Sequence, residues 1–360
     1  MAYTTIDDPE AYFQVKTYTG NGTAIGSGGN SITFDGDTDL APGMLWLKRR
    51  DSASSHNMHD AVRGAQGRVY PDTTDPEDTS VTESVNAFTS DGFNLGNSGG
   101  GNASGGAYVA WCWKAGTTSS GTTTGSGTGT AYSTSIDDTA GFQITTYTGN
   151  DTGGHTVPVA LSTAPHFMVF KQRNDTYAWG VYHHKNTAAP ETEILESHGS
   201  SATADDNTFL NDVAPTASVV TLGPQGDWGN EGTKTIVAYF WSEKQGFSKF
   251  GSYTGNGNAE GPFVYTGFKP AWLMIKDAGN AAQWMIMDNK RSGYNPHNNR
   301  LYCDTNAVQE SDTDRLDLLS NGFKVRTGDA DTNVDGSNFI YFAFAEQPFV
   351  NSEGVPCTAR

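Results

Sequence analysis

A nine-residue phrase that returns twice constrains this chain more than any other feature. Phe13-Gln14-Val15-Lys16-Thr17-Tyr18-Thr19-Gly20-Asn21 comes back as Phe142-Gln143-Ile144-Thr145-Thr146-Tyr147-Thr148-Gly149-Asn150, and in shortened form as Phe250-Gly251-Ser252-Tyr253-Thr254-Gly255-Asn256. A phrase recurring at roughly domain-sized intervals, with its context recurring too, implies three diverged copies of one unit.

The context is regular. Each opening phrase is followed by a Pro that starts an apolar run closed by Lys: Pro42 to Lys48, Pro165 to Lys171 and Pro270 to Lys276. Pro is tolerated at the first position of a strand, and a short unbroken apolar run behind it reads as a strand buried on both faces. Next come the aligned segments beginning at His56, Trp179 and Trp284, with an Arg shared by copies one and three at Arg63 and Arg291. Asp91-Gly92 and Asn321-Gly322 are turn dipeptides that copy two lacks, where only Val219-Val220-Thr221-Leu222 remains. Every copy closes on an aromatic strand, starting at Tyr108, Ile236 and Ile340, after a turn opened by Asn102, Asn230 or Asn333.

These signals predict an all-β protein of three tandem β-sandwich domains, jelly-roll or lectin-like, from a diverged internal repeat. The expected limits are 1–115, 136–246 and 247–346, with a Gly/Ser/Thr linker at 116–135 and a C-terminal tail at 347–360. Gly116 to Thr130 reads as a flexible or extended connector that lets copy one swing. Copies two and three, which have no spacer, are expected to pack as a rigid pair.

Charge excludes some functions. With 40 acidic against 22 basic residues the net charge is -18. A polyphosphate would be repelled, and no Lys/Arg cluster offsets this, so nucleic acid is not an expected partner. No apolar run reaches membrane-spanning length and no signal-peptide pattern opens the chain, so synthesis in a cytoplasm without membrane insertion is expected.

Candidate chemistry was weighed against what the copies share. A residue essential to a common reaction should recur, yet Cys112 aligns with Phe240 and Ala343, which makes its position a packing slot. His56-x-x-His59-Asp60 and His183-His184 have metal-like spacing, but copy three places Trp284, Met287 and Asp288 there. Asp35-x-Asp37-x-Asp39 has the alternate oxygen ligands that calcium loops use, making calcium the one candidate cofactor, whereas Asp331-x-Asn333-x-Asp335-Gly336 fails as an EF-hand because Phe342 occupies its final ligand position. Acid/base pairs can be drawn from Asp60, Asp91, Asp288 or Glu191, Glu193 and Glu196, without a spacing that singles one out. Trp228 and Tyr294, in loop-like contexts, are candidate stacking platforms for sugar rings. No common acid, base or nucleophile survives in all three copies, so a non-enzymatic protein is expected.

The combined pattern of Tyr-Thr-Gly-Asn, Pro42 to Lys48, Val62-Arg63-Gly64, Ser90-Asp91-Gly92-Phe93 and Tyr108-Val109-Ala110-Trp111 resembles an uncharacterised repeat domain of virion proteins from marine tailed phages, including cyanophages. The ending, Phe344 to Phe349 followed by Gly354-Val355-Pro356 and Thr358-Ala359-Arg360, is similar to such proteins too. The resemblance implies a bacteriophage structural protein on the virion surface, of tail-fibre or appendage type and in contact with the host. A capsid (head) decoration protein, and a carbohydrate-binding module or glycan depolymerase, are the alternatives. The expected partners are the chain itself, as a homo-oligomer with a trimer favoured, other phage tail or capsid proteins, and host surface glycan.

Overall fold

The computed structural model describes residues 2–224 and 228–357. Gly226 and Asp227 of the Trp228 loop, and Thr358 to Arg360 of the tail, lie outside the described residues. Apart from two four-residue α-helices and three 3-10 turns, the regular elements among the described residues are β-strands. The sheets are antiparallel throughout.

Each copy contributes a large sheet with the same strand order: opening, closing, Pro-led, following and a short fifth strand. In copy one these are Phe13–Thr19, Ala107–Lys114, Pro42–Arg49, Asn57–Asp60 and Gly64–Val69. In copy two they are Phe142–Thr148, Thr235–Trp241, Phe167–Gln172, Trp179–His183 and Glu193–Glu196. In copy three they are Ser248–Thr254, Asn338–Pro348, Phe268–Asp277, Met285–Asp288 and Leu301–Tyr302. The closing strand is flanked on both sides because its middle is an unbroken apolar run, Tyr108 to Trp113, Ile236 to Trp241 or Phe339 to Ala345, and such a run is stable only where both of its faces are covered.

A three-stranded sheet faces each large one. In copies one and three it is the hairpin predicted from Asp-Gly and Asn-Gly, Val85–Thr89 with Gly92–Leu95 and Leu316–Leu319 with Gly322–Val325, plus an outer strand, Asn30–Thr33 or Phe263–Tyr265. Copy two, which lacks the turn dipeptide, lacks the first hairpin strand. Its small sheet is His155–Pro158 and Val219–Leu222, completed on the opposite edge by Thr124–Gly125 from the connector.

Of the two forms expected for the connector, flexible or extended, it takes the extended one. Thr117–Thr122 pairs with Ala131–Asp137, which pairs in turn with the opening strand of copy two; these two strands, with Ala204–Asp205 on the opposite edge, widen that sheet to eight strands. Thr and Ser suit an extended, exposed edge, and the opening strand of copy two otherwise ends its sheet with unpaired backbone groups.

Register fixes which residues correspond. Opposite the closing strand, Met44, Phe167 and Trp272 are equivalent, as are Lys48, Lys171 and Lys276. Phe250 pairs with Phe342, so it corresponds to Val15 and Ile144, and Ser248 takes the place of Phe13 and Phe142. Side chains alternate between two faces. One face packs on the small sheet, giving each copy a private core, for instance Leu45, Leu47, Ala110 and Cys112 with Ile32 and Phe93 in copy one. The other face carries Trp46, Trp111, Trp113, Phe167, Tyr239, Trp241, Trp272, Phe342 and Phe344, which together form one core shared by all three copies.

The copies are therefore three sectors around a common centre, and copy one is as firmly held as the others. The centre is closely packed: the void lined by Met44, Trp113, Phe167, Trp241, Met274 and Phe342 measures about 30 Å³, room for about two water molecules. Both chain ends lie against copy three, where the Tyr3 hydroxyl donates to Gly267 O at 2.8 Å and Ser352 N donates to Asp7 Oδ1 at 2.7 Å.

Candidate functional site

The polar residues that recur in the repeats converge on the seams between sectors. Lys48, Lys171 and Lys276 are each fully buried at the end of the Pro-led strand. Each Nζ donates to a carbonyl of a neighbouring copy: Lys48 to Asn306 O at 3.0 Å, Lys171 to Thr74 O at 3.0 Å and Lys276 to Ser200 O at 3.3 Å. The direction is cyclic, one to three, two to one, three to two. Burial pushes all three ammonium groups down to about 8, because desolvation disfavours the charged form.

A second ring runs the same way. His56, Trp179 and Trp284 are equivalent by register with those lysines. Trp179 Nε1 donates to Tyr70 O at 2.9 Å and Trp284 Nε1 to Glu196 O at 2.8 Å. His56 Nδ1 accepts from Trp46 Nε1 at 2.9 Å, which leaves Nε2 to donate to Tyr302 O, also at 2.9 Å. His56 is thus an imidazole doing what an indole does in the other two copies, and its burial keeps it neutral.

The third ring holds the carboxylates that sequence reasoning offered as acid/base candidates. Asp60 accepts from Arg63 Nε at 2.5 Å and from the Tyr239 hydroxyl of copy two at 2.7 Å. Asp288 accepts from Arg291 Nε at 2.6 Å and from Trp111 Nε1 of copy one at 3.0 Å. Both ion pairs have fully buried side chains. Copy two places His183 and Asn186 where the others have Asp and Arg, and its seam partner, Phe342, has no donor. Acid, base and donor are lost together, as expected when a lone buried charge would cost several kcal/mol. Four surface clefts of about 490 to 780 Å³ are lined by other residues.

Within each copy, the Asn that opens the last turn is a pin. Asn102, Asn230 and Asn333 are buried, and the side-chain oxygen of each accepts the backbone N–H of Asn21, Asn150 or Asn256 at 2.8 to 3.1 Å. The Gly before each of those residues must be Gly. A Cβ there would stand 2.2, 2.3 or 2.1 Å from Ala103 O, Glu231 O or Val334 O.

The remaining candidates fare differently. Among the described residues no three His, Cys, Asp or Glu side chains converge as a metal site. Asp35, Asp37 and Asp39, the expected calcium ligands, are all exposed, and Asp35 pairs with Lys16. Trp228 is part of the copy-two core edge, its Nε1 donating to Asp206 Oδ2 at 2.6 Å, which makes it a packing residue and not an open platform. Tyr294 is 79% exposed and keeps the form of a platform. Asp91 accepts Leu40 N at 3.1 Å, tying the hairpin turn to the sheet. Cys112 lies in the private core with its thiol pushed up by burial. The lysines were visible in the sequence only as strand ends; their threefold recurrence behind a Pro and an apolar run was the signal that could have identified them.

The sequence from residue 8 to 348 matches a family described as a domain of unknown function (DUF7483), and the chain belongs to that family. The match runs through all three copies as one unit. No curated protein and no solved structure matches the chain.

Proposed function

We propose that this member of the DUF7483 family is a non-catalytic structural module, displayed on the surface of a tailed-phage particle as part of a tail fibre or appendage that contacts the host. One observation carries the non-catalytic part: the charged and polar residues that recur among the copies are buried and spent on joining sectors. Lys48, Lys171, Lys276, Asp60 and Asp288 are fully buried and engaged by partners at hydrogen-bonding distance. The phage setting is supported by the motifs described above.

On this reading the three copies are jelly-roll or lectin-like sandwiches fused around an axis. The rotational closure that particle proteins commonly reach by trimerising is then supplied within one chain, since each seam joins non-identical faces head to tail and the ring closes after three. No trimer is needed to complete it. The same closure favours capsid decoration as the second reading, because a pseudo-threefold chain can sit on a threefold lattice position.

The experiment is to incubate the purified chain with purified particles and locate it by gold labelling in electron microscopy, alongside a hydrolase screen on host envelope glycan. Labelling at a fixed stoichiometry without glycan release is the expected result. Glycan release that disappears in a variant of a carboxylate lining one of the surface clefts, Glu243→Gln or Asp75→Asn, with no particle binding, would overturn the reading.

A further inference from the structure

The three seams follow one plan, and the seam between copies two and three departs from it in a single chemical direction. Where the other seams have Asp60 and Asp288, this one has His183. Where copies one and three have Asp72 and Asp304, accepting the backbone N–H of His56 and Trp284 at 3.0 and 3.1 Å, copy two has His198, facing that of Trp179 at 3.4 Å. His166 and His184 are added beside them, with ring centroids 4.5 Å apart, and His183 lies 5.5 Å from His184. Three of the eight histidines of the chain, His166, His183 and His184, contact copy three at this seam.

The bonds of His183 and His166 require neutral rings. His183 Nε2 donates to Tyr341 O of copy three at 3.1 Å, while its Nδ1 accepts Lys185 N at 3.0 Å. A proton on Nδ1 would set donor against donor inside a fully buried side chain. His184 Nε2 donates to Phe250 O of copy three at 2.6 Å, and His166 Nδ1 accepts Glu243 N at 3.1 Å.

We infer that the seam between copies two and three is an acid-released latch, in which proton uptake by His183 and His184 opens this seam while the other two stay closed. The charges around the pair favour release. Lys185 on their own turn, Lys249 on the opening strand of copy three and His166 face them as bases. The facing carboxylate, Glu243, is 3.7 Å from His184 Nε2 and already engaged by Lys249 Nζ and Phe250 N, both at 2.9 Å. His198 faces Glu196 at 3.8 Å and Lys171.

The direction follows from linkage. Burial holds His183 down at about 3 and His184 at about 4, so the opened seam binds protons below about pH 6.5 that the closed seam does not. Falling from pH 7 to 5 therefore raises the opening constant about 25-fold for each histidine freed. Two buried carboxylates act oppositely. Burial raises Asp72, beside Lys48 and His56, so acid relieves a buried charge at the seam between copies one and three; it also raises Asp304 to about 6, beside Lys276 and Trp284, which offsets part of the histidine effect at the seam between copies two and three. His56 crosses the seam between copies three and one, where Asp72 accepts its backbone N–H; among the described residues no histidine bonds across the seam between one and two.

Six amides report on the seams separately. Thr203 N and Ala282 N bridge copies two and three, Glu77 N and Tyr177 N bridge one and two, and Ser54 N and Gln309 N bridge one and three. Hydrogen exchange on the full chain at pH 7 and pH 5, corrected for intrinsic rates, should show the opening constants of Thr203 and Ala282 rising tens to hundreds of times more than the other four. A His183→Gln, His184→Gln double variant should lose most of that difference. Equal increases at all six amides, or the smallest at Thr203 and Ala282, would overturn the latch. The wild-type comparison decides the matter even if the double variant does not fold, and it is independent of where the protein sits on a particle.

Discussion

Trp111 of the first copy donates its indole N–H to the carboxylate of Asp288 in the third across 3.0 Å, inside a core that neither residue shares with solvent. The carboxylate also carries Arg291, at 2.6 Å. Asp288→Ala strands a buried guanidinium and an indole donor, and should lower stability by about 3 to 5 kcal/mol in denaturant unfolding. The triple variant Asp288→His, Arg291→Asn, Trp111→Phe reproduces the combination His183, Asn186 and Phe342 found at another seam. It should recover part of that loss. A triple variant less stable than the single one would show that the three positions are not coupled.

Replacing the Gly of the opening phrase should be costly for a reason of distance, not of backbone angle. A Cβ at Gly149 would lie 2.3 Å from Glu231 O and 2.5 Å from Asn230 C, so the pin made by Asn230 must move. Gly149→Ala should cost several kcal/mol, comparable with overpacking a core. Gly99→Ala, where the added carbon meets nothing within 4 Å, should stay within about 0.5 kcal/mol of wild type. Similar melting temperatures for the two variants would refute the close-approach argument.

Much of this could be read from the chain itself. The equivalence of Cys112, Phe240 and Ala343 as packing positions, the recurring Asn102, Asn230 and Asn333, and the missing hairpin turn of copy two all follow from aligning the copies, and register bears them out. The sharing of a core does not follow. An apolar run such as Met44 to Leu47 says that both strand faces are covered, but small sheet and neighbouring copy are equally good cover, and hydrophobicity carries no address. The connector is open to both forms for a related reason: Gly, Ser and Thr promise flexibility only where no open sheet edge is within reach to pair with them.

The buried lysines predict a dependence on alkaline pH. Lys48, Lys171 and Lys276 sit at about 8 in the fold against about 10.4 in an unfolded chain. Between these limits the unfolded state holds more protons, so stability should rise with pH from about 8 towards 10, by up to about 1.4 kcal/mol per unit for each lysine. Above that, buried tyrosines such as Tyr239, whose hydroxyl burial raises, begin to act in the opposite direction. Lys171→Met should remove about a third of the slope. A flat profile from pH 8 to 10 in the wild type would mean that the carbonyl contacts keep the ammonium groups fully charged.

Limited proteolysis tests the closed ring directly. Ser126 to Gly129 is the exposed stretch of the connector that lies outside its strands, between two segments paired into the sheets of copy two. A broad-specificity protease needs several residues free of such pairing, and Asn150 Nδ2 holds this stretch through Ser126 O at 3.1 Å and Thr128 O at 2.9 Å. Cleavage there should accordingly be slow. Once it occurs, the two fragments should still elute together at the size of the intact chain, because Trp111 and Trp113 remain packed on Trp272 and Trp241. They should separate only in denaturant, in the same transition that unfolds the uncut protein. Copy one released as a free fragment in native buffer would show that the seams do not hold the ring without the covalent connection.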